Sequence, residues 1–171
     1  MTSSAAYLKQ FYDATKAMGD SAITSDAMFE IEGFETIALL TPQFPMPVLT
    51  TFGEIELPGP LGTMMYQPQQ TKIAHQGSVT LKETRAGHIN DTMLRLLSSG
   101  RQGVFNAKIY EGTPENFYRA FRLYDCFFQL ENPDRNWEDR SQPLKITGTL
   151  FFHYFGEVIP GNVSPTKAIG S

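Results

Sequence analysis

The sequence predicts a mainly β fold, a β-barrel or sandwich of antiparallel strands, with a flanking α-helix and an N-terminal helix or arm. Three observations carry that prediction. Two long runs near the end, residues 116–131 and 143–157, alternate with period two and are rich in aromatic and β-branched residues. A third run, 71–84, alternates as cleanly. Aromatic residues make up 12% of the chain, mostly Phe and Tyr, which favours sheet over a helix bundle.

Taken in order, residues 3–18 place Leu8, Phe11, Tyr12, Thr15 and Met18 at helical spacing behind serines able to cap, and Gly19 ends the run. This is a short amphipathic helix that packs on its own domain or reaches a neighbour. Residues 28–34 and 36–41 read as one strand broken at Gly33. Residues 41–70 hold six of the eleven prolines: Pro42, Pro45, Pro47, Pro58, Pro60 and Pro68. Proline removes a ladder donor, so the stretch is a poor central strand. Yet Phe44, Met46, Val48, Leu49, Phe52, Ile55 and Leu57 make the stretch too apolar to hang in water. Two readings stand: an edge strand plus a loop folded over the core, or a limb that docks on another subunit. On the second, Phe44, Met46, Val48, Leu49 and Phe52 are candidate intersubunit contacts.

In residues 71–84, Ile73, His75, Gly77, Val79 and Leu81 share one face, and Lys72, Ala74, Gln76, Ser78, Thr80 and Lys82 the other. At roughly 3.3 Å per residue such a strand spans about 45 Å. Residues 90–100 predict a helix, capped by Asn90 or Asp91, stopped by Gly100, with Met93, Leu94 and Leu97 as its buried stripe. Residues 103–111 predict a strand, followed by a turn. In the first of the two closing runs, Tyr118, Ala120, Tyr124, Cys126, Phe128 and Leu130 share one side. Phe117, Phe121, Leu123 and Phe127 lie opposite, mixed with Arg119, Asp125 and Gln129. In the second, Leu144, Ile146, Gly148, Leu150, Phe152 and Tyr154 share a face. Asn132-Pro-Asp-Arg-Asn136 closes the turn between them. The result is a long hairpin with aromatic residues on both faces, and one of those faces needs an outside cover. The organisation is therefore an arm (1–27), a β domain (28–157) with the Pro-rich loop 41–70, and an extended tail (158–171).

Composition bounds the function. At 171 residues and 41% apolar content the chain supports one real core. Its formal charge of −4 lacks the basic footprint of a protein that grips nucleic acid. The amino terminus has no secretion-signal design and no apolar run reaches membrane-spanning length, so the expectation is a soluble protein folded in a reducing cytoplasm. The single Cys126 reads as a buried thiol. His75, His88 and His153 fall on separate elements without metal-ligand spacing. No Gly-x-Ser-x-Gly elbow occurs, and the glycines from Gly53 to Gly62 lack the Lys that cradles phosphate. The pairs Glu30/Glu32, Glu54/Glu56 and Glu138/Asp139 read as solvated faces. Trp137, the one tryptophan, either lids the hairpin end or anchors an intersubunit contact. No catalytic residue, metal or cofactor is expected.

The order of elements, with Phe29-Glu-Ile-Glu-Gly-Phe34, Pro58-Gly-Pro-Leu-Gly62, Gln76-Gly-Ser-Val-Thr80, the internal helix and Ile146-Thr-Gly-Thr-Leu-Phe-Phe-His-Tyr-Phe155, resembles the tail tube proteins of contractile-tailed bacteriophages. Their superfamily includes secretion-system tube subunits. The resemblance spans residues 29–155. It implies hexameric rings that stack into a tube inside a sheath, with baseplate and terminator proteins at the ends. DNA then leaves through the lumen without sequence-specific binding. It also implies a virion location, assembly in the host cytoplasm and no membrane partner. The polar face Lys72, Gln76, Ser78, Thr80 and Lys82 becomes a candidate lumen face. Three rivals stay open: a monomeric, lipocalin-like barrel around a small apolar ligand; a terminator or baseplate tube-initiator of the same fold; and a carbohydrate hydrolase using Glu54 or Glu56.

Overall fold

The computed structural model describes residues 2–51, 53–70 and 74–163. Helix α1 (Thr2–Ala17) stands first, followed by β1 (Met28–Ile31). Gly33 then turns the chain with φ +89°, and the Phe34 N–H donates to the Ile31 carbonyl. Only the first part of the strand predicted over 28–41 is therefore a strand. Glu35–Leu40 winds instead into a 3-10 helix that buries Ile37. A hairpin of β2 (Glu54–Pro58) and β3 (Met64–Pro68) comes next, joined by a tight 3-10 turn at Pro60–Gly62. Strands β4 (Ala74–Lys82), β5 (Phe105–Gly112), β6 (Phe117–Leu130), β7 (Lys145–His153) and β8 (Val158–Pro160) complete the domain, with α2 (His88–Ser98) between β4 and β5.

The sheet is organised by β6. Its first half pairs with β5 and β8, its second half with β7. The full order is β1-β5-β6-β7-β4, with β8 on the other flank of β6. All described pairings are antiparallel. Between Tyr124 and Phe127 the register with β7 shifts, and Asp125 there takes φ +47°. An extra residue in a ladder bends the strand and changes which positions face inward. That shift corrects the unbroken alternation read from the sequence. Phe121 and Leu123 point into the core before the bulge, and Cys126, Phe128 and Leu130 after it. Of the even-numbered side, only the residues beyond 125 join the main core cluster, while Ala120 before it is buried outside that cluster.

The enclosed core joins Phe29 and Ile31 of β1 to Val79 and Leu81 of β4. It also takes in Ala107 and Ile109 of β5, Leu150 and Phe152 of β7, and Ile89 and Leu96 of α2. Strand β7 keeps the predicted face, with Ile146, Leu150, Phe152 and Tyr154 all inward. Gly148 on that face is a necessity of approach, because a Cβ there would collide with the Gln129 carbonyl and Leu130 Cα of β6. Along β4 the predicted alternation also holds, with His75, Val79 and Leu81 buried. Pro45 lies against Gly77, and the Thr80 N–H donates 3.0 Å to the Gln43 carbonyl. In this way residues 41–45 cover the outer edge of β4.

Helix α2 begins two residues earlier than predicted and is capped from outside itself. Its N-cap position is Gly87, which offers no side chain. Glu83 supplies the missing acceptors. Its Oε1 accepts from the Ile89 N–H and its Oε2 from the Asn90 N–H, both at 3.1 Å, while Thr84 Oγ1 accepts from the His88 N–H. Neither Asn90 nor Asp91 has that task; the Glu83 side chain takes it while its backbone N–H still donates to the Leu144 carbonyl. The buried stripe is Ile89, Met93 and Leu96. Leu94 and Leu97, expected to be buried, are 59% and 60% exposed.

Residues past the domain are clamped onto β6. The Tyr124 hydroxyl donates to the Glu157 carboxylate, and Arg122 lies 3.6 Å from that same carboxylate. Asn162 Oδ1 accepts from the Phe117 N–H, and its amide donates to the Glu115 carbonyl. The part of the predicted tail from 158 to 163 is therefore a fixed strap.

Loss of an N-cap acceptor costs about 1–2 kcal/mol. Glu83→Ala should lower the midpoint of thermal unfolding by roughly 3–8 °C. An unchanged midpoint by circular dichroism would remove Glu83 from its capping role.

Candidate assembly surfaces

The β2–β3 hairpin is the least buried sheet in the protein. Every one of its ten strand residues is exposed, and β2 and β3 pair only with each other. Opposite residues share a face in an antiparallel ladder. The register puts Ile55, Leu57, Met65 and Gln67 on one face, and Glu54, Glu56, Met64 and Tyr66 on the other. At the tip, Leu61 is fully exposed and takes φ +57°. A left-handed leucine aimed at water is unfavourable on both counts. Two-stranded hairpins are marginal alone in water, so this one needs a surface to lie on.

Three further apolar surfaces share that condition. Helix α1 is exposed at every described side chain from Ser4 to Ala17, including Tyr7, Leu8, Phe11 and Tyr12. Trp137, on the loop between β6 and β7, is 95% exposed. The outer face of β6 and β7 carries a stacked pair, Phe127 and Phe151, with ring centres 4.9 Å apart, and Phe155 stands half-exposed beside Tyr124.

The candidate contact residues do not form one patch. Phe44 is half-buried on its own core, its ring centre 5.8 Å from that of Phe29. Met46, Val48 and Leu49 are exposed, and Leu49 reaches Gly156. Trp137 sits apart from them on its loop. Phe52 lies outside the described residues. Of the polar face, Gln76, Ser78 and Lys82 are exposed. Thr80 is largely covered, its hydroxyl donating 2.9 Å to Gln43 Oε1. Lys72 lies outside the described residues. Register extends this face across β7, setting Ser78 opposite Thr149, Thr80 opposite Thr147 and Lys82 opposite Lys145. Ser78, Thr80, Thr147 and Thr149 line an open groove of about 350 Å³ with Gln43 and Glu131.

Sequence reasoning missed Leu61, Met64, Met65 and Tyr66. The signal was present in the two runs flanking Pro60-Leu-Gly62, which could have been read as hairpin arms around a turn. Thr147, Thr149 and Lys145 were missed as partners of the β4 face because register is invisible without the turn that sets it.

The reactive residue types are dispersed. His75 stacks on Phe152, His88 bonds Thr84 at the start of α2, and His153 faces the Tyr124 and Asp125 carbonyls. Among the described residues, no three His, Cys, Asp or Glu side chains gather as a metal site would require. Burial pushes the Glu30 carboxyl up, with Glu35 adding to the shift and Lys108 opposing it. Burial, then the neighbouring Asp125, pushes the Cys126 thiol up to about 12. A thiol in that state is a packing residue.

No family profile and no curated protein matches the sequence. Solved structures do resemble the fold. A chain of an extracellular contractile injection system, the PVC sheath–tube complex in its extended state, aligns with a TM-score of 0.54 at 10% identity. The alignment covers 88% of this chain and 97% of that one. The tube-terminating cap of the anti-feeding prophage aligns at 0.50 and 14% identity, over 81% and 89%. The PVC sheath/tube terminator in the extended state aligns at 0.50 and 10% identity, over 82% and 96%. At such identities the likeness is one of fold. That likeness of fold agrees with the mainly β fold that the resemblance read from the residues implies.

A buried Cys126 should not react with a thiol-specific reagent at pH 8 in the native protein, and should react fully once unfolded. Rapid labelling of the folded chain would contradict the burial.

Proposed function

We propose that this protein is a structural subunit of the tube of a contractile tail, assembling into hexameric rings that stack within a sheath. The observation that carries the proposal is the β2–β3 hairpin, an apolar limb whose Leu61, Met65 and Tyr66 are exposed and whose two strands pair only with each other. A limb of this kind is stable only when seated on another subunit. Head-to-tail contacts of one surface with a different surface build rings and open-ended stacks, the two operations a tube needs. The solved structures that share the fold come from sheath–tube and tube-terminator assemblies, which supports the same reading.

Within such a ring the polar face of β4 and β7 suits the lumen. Its central residues Gln76, Ser78, Thr147 and Thr149 are neutral hydrogen-bonding groups, past which DNA can move without the counterion exchange that makes it stick, while the exposed Lys82 opposite Lys145 leaves one end of the face basic. Sheath, baseplate and terminator contacts then fall to the remaining exposed surfaces, Trp137 among them. A tube terminator of the same fold is the second reading, favoured by the two cap and terminator structures among the similar folds. The ligand-holding barrel fits less well, because Phe29, Phe44, Phe105 and Phe128 pack against one another in the interior where a ligand would sit.

Negative-stain microscopy of the purified protein should show rings, and at high concentration tubes. Leu61→Asp combined with Met65→Asp should abolish stacking and lower assembly about a hundredfold, as expected when hot-spot contacts are lost. The unfolding midpoint should stay within about 2 °C of the parent, since both residues are solvent-facing in the single chain. Discrete rings that never stack would instead select the terminator reading.

A further inference from the structure

Helix α1 is a second limb with no place on its own domain. Tyr7, Leu8, Phe11 and Tyr12 share one side of it, and a helix of this length is marginal in water unless that side is covered. Lys9 and Lys16, two turns apart, run along one border of the apolar side. Their partners Asp13 and Asp20 bring the polar surface to neutrality. That balance disfavours a lipid surface, which selects helices with a basic excess.

A surface of complementary character exists on the same protein. One face of the hairpin sets Met64 and Tyr66 beside Glu54 and Glu56. No Lys or Arg occurs anywhere between Lys16 and Lys72, so this limb is acidic without local compensation. Methionines adapt to the shape of an incoming helix. Another exposed apolar surface, Leu94 and Leu97 on α2, carries Arg95 between them and would repel the lysine border.

We propose that α1 of one copy docks on the Glu54/Glu56/Met64/Tyr66 face of the β2–β3 hairpin of a second copy. The contact pairs Lys9 and Lys16 with the two glutamates and lays Leu8 and Phe11 on Met64 and Tyr66. It deepens the tube reading and rests on it. Two orphan surfaces are covered by one contact, and each subunit is tied to a neighbour at both ends.

The experiment uses the full chain. Lys9→Glu with Lys16→Glu should raise the concentration needed for assembly about tenfold, because two attractive pairs become repulsive. Adding Glu54→Lys with Glu56→Lys should restore it. In parallel, separately purified Leu8→Cys and Met64→Cys proteins are mixed, assembled and treated with a flexible bis-maleimide, the native Cys126 being buried. A covalent heterodimer of the two variants is the expected product. Assemblies that form normally yet show neither charge rescue nor the cross-link overturn this contact and leave the tube reading standing. A parent protein that remains a single chain at every concentration overturns both.

Discussion

The fold depends on one strand changing direction. Strand β6 is long enough to serve two partners, but a straight strand of fourteen residues would hold β5, β8 and β7 in one open sheet. The bulge around Asp125 lets the first half stay with β5 and β8 while the second half turns onto β7 and thence β4. That turn closes a space around Leu123, Cys126 and Leu150, all fully buried. The Arg101–Asp125 ion pair, 2.6 Å, ties the bulge to the turn after α2. Arg101 and Asp125 are both exposed, so the pair contributes little energy and mainly fixes direction.

Closing the core in this way leaves whole elements outside it. The hairpin 54–68 and helix α1 are well-formed secondary structures whose described side chains include none that is fully buried within the chain. A single polypeptide that invests conformational entropy in ordering such limbs recovers it only through contacts made elsewhere. The same logic governs Leu61. Its backbone conformation and its exposure are both unfavourable in isolation, a combination that persists where a partner over-determines it. Gln76, Ser78, Thr147 and Thr149 of β4 and β7, by contrast, are content with water, although their face continues through Phe151 to Phe127.

Much of this was legible in the residues. Period-two alternation located β4, β6 and β7, and turn chemistry located their ends. The β7 face was right because no bulge interrupts it. The β6 face failed at residue 125 because a bulge leaves no compositional trace; Asp is common in turns and on solvated strands alike. The helix at 88–98 was found, but its cap was not, since Glu83 acts from the preceding strand rather than from the helix's own first residue. The segment after Gly33 reads as the second half of a broken strand, whereas a 3-10 turn is what buries Ile37. For the assembly surfaces, the apolar and Pro-rich character of 41–70 pointed to a limb. Which of its residues touch the chain's own core was decided by register, and Phe44 went inward.

The central claim is that identical copies complete one another's apolar surface. Sedimentation velocity of the unmodified protein over a wide concentration range tests it most directly. The account predicts a concentration-dependent shift from the 19.2 kDa chain to a discrete ring several times heavier, and then to still larger stacks. A single boundary at the mass of one chain across the whole range would contradict it.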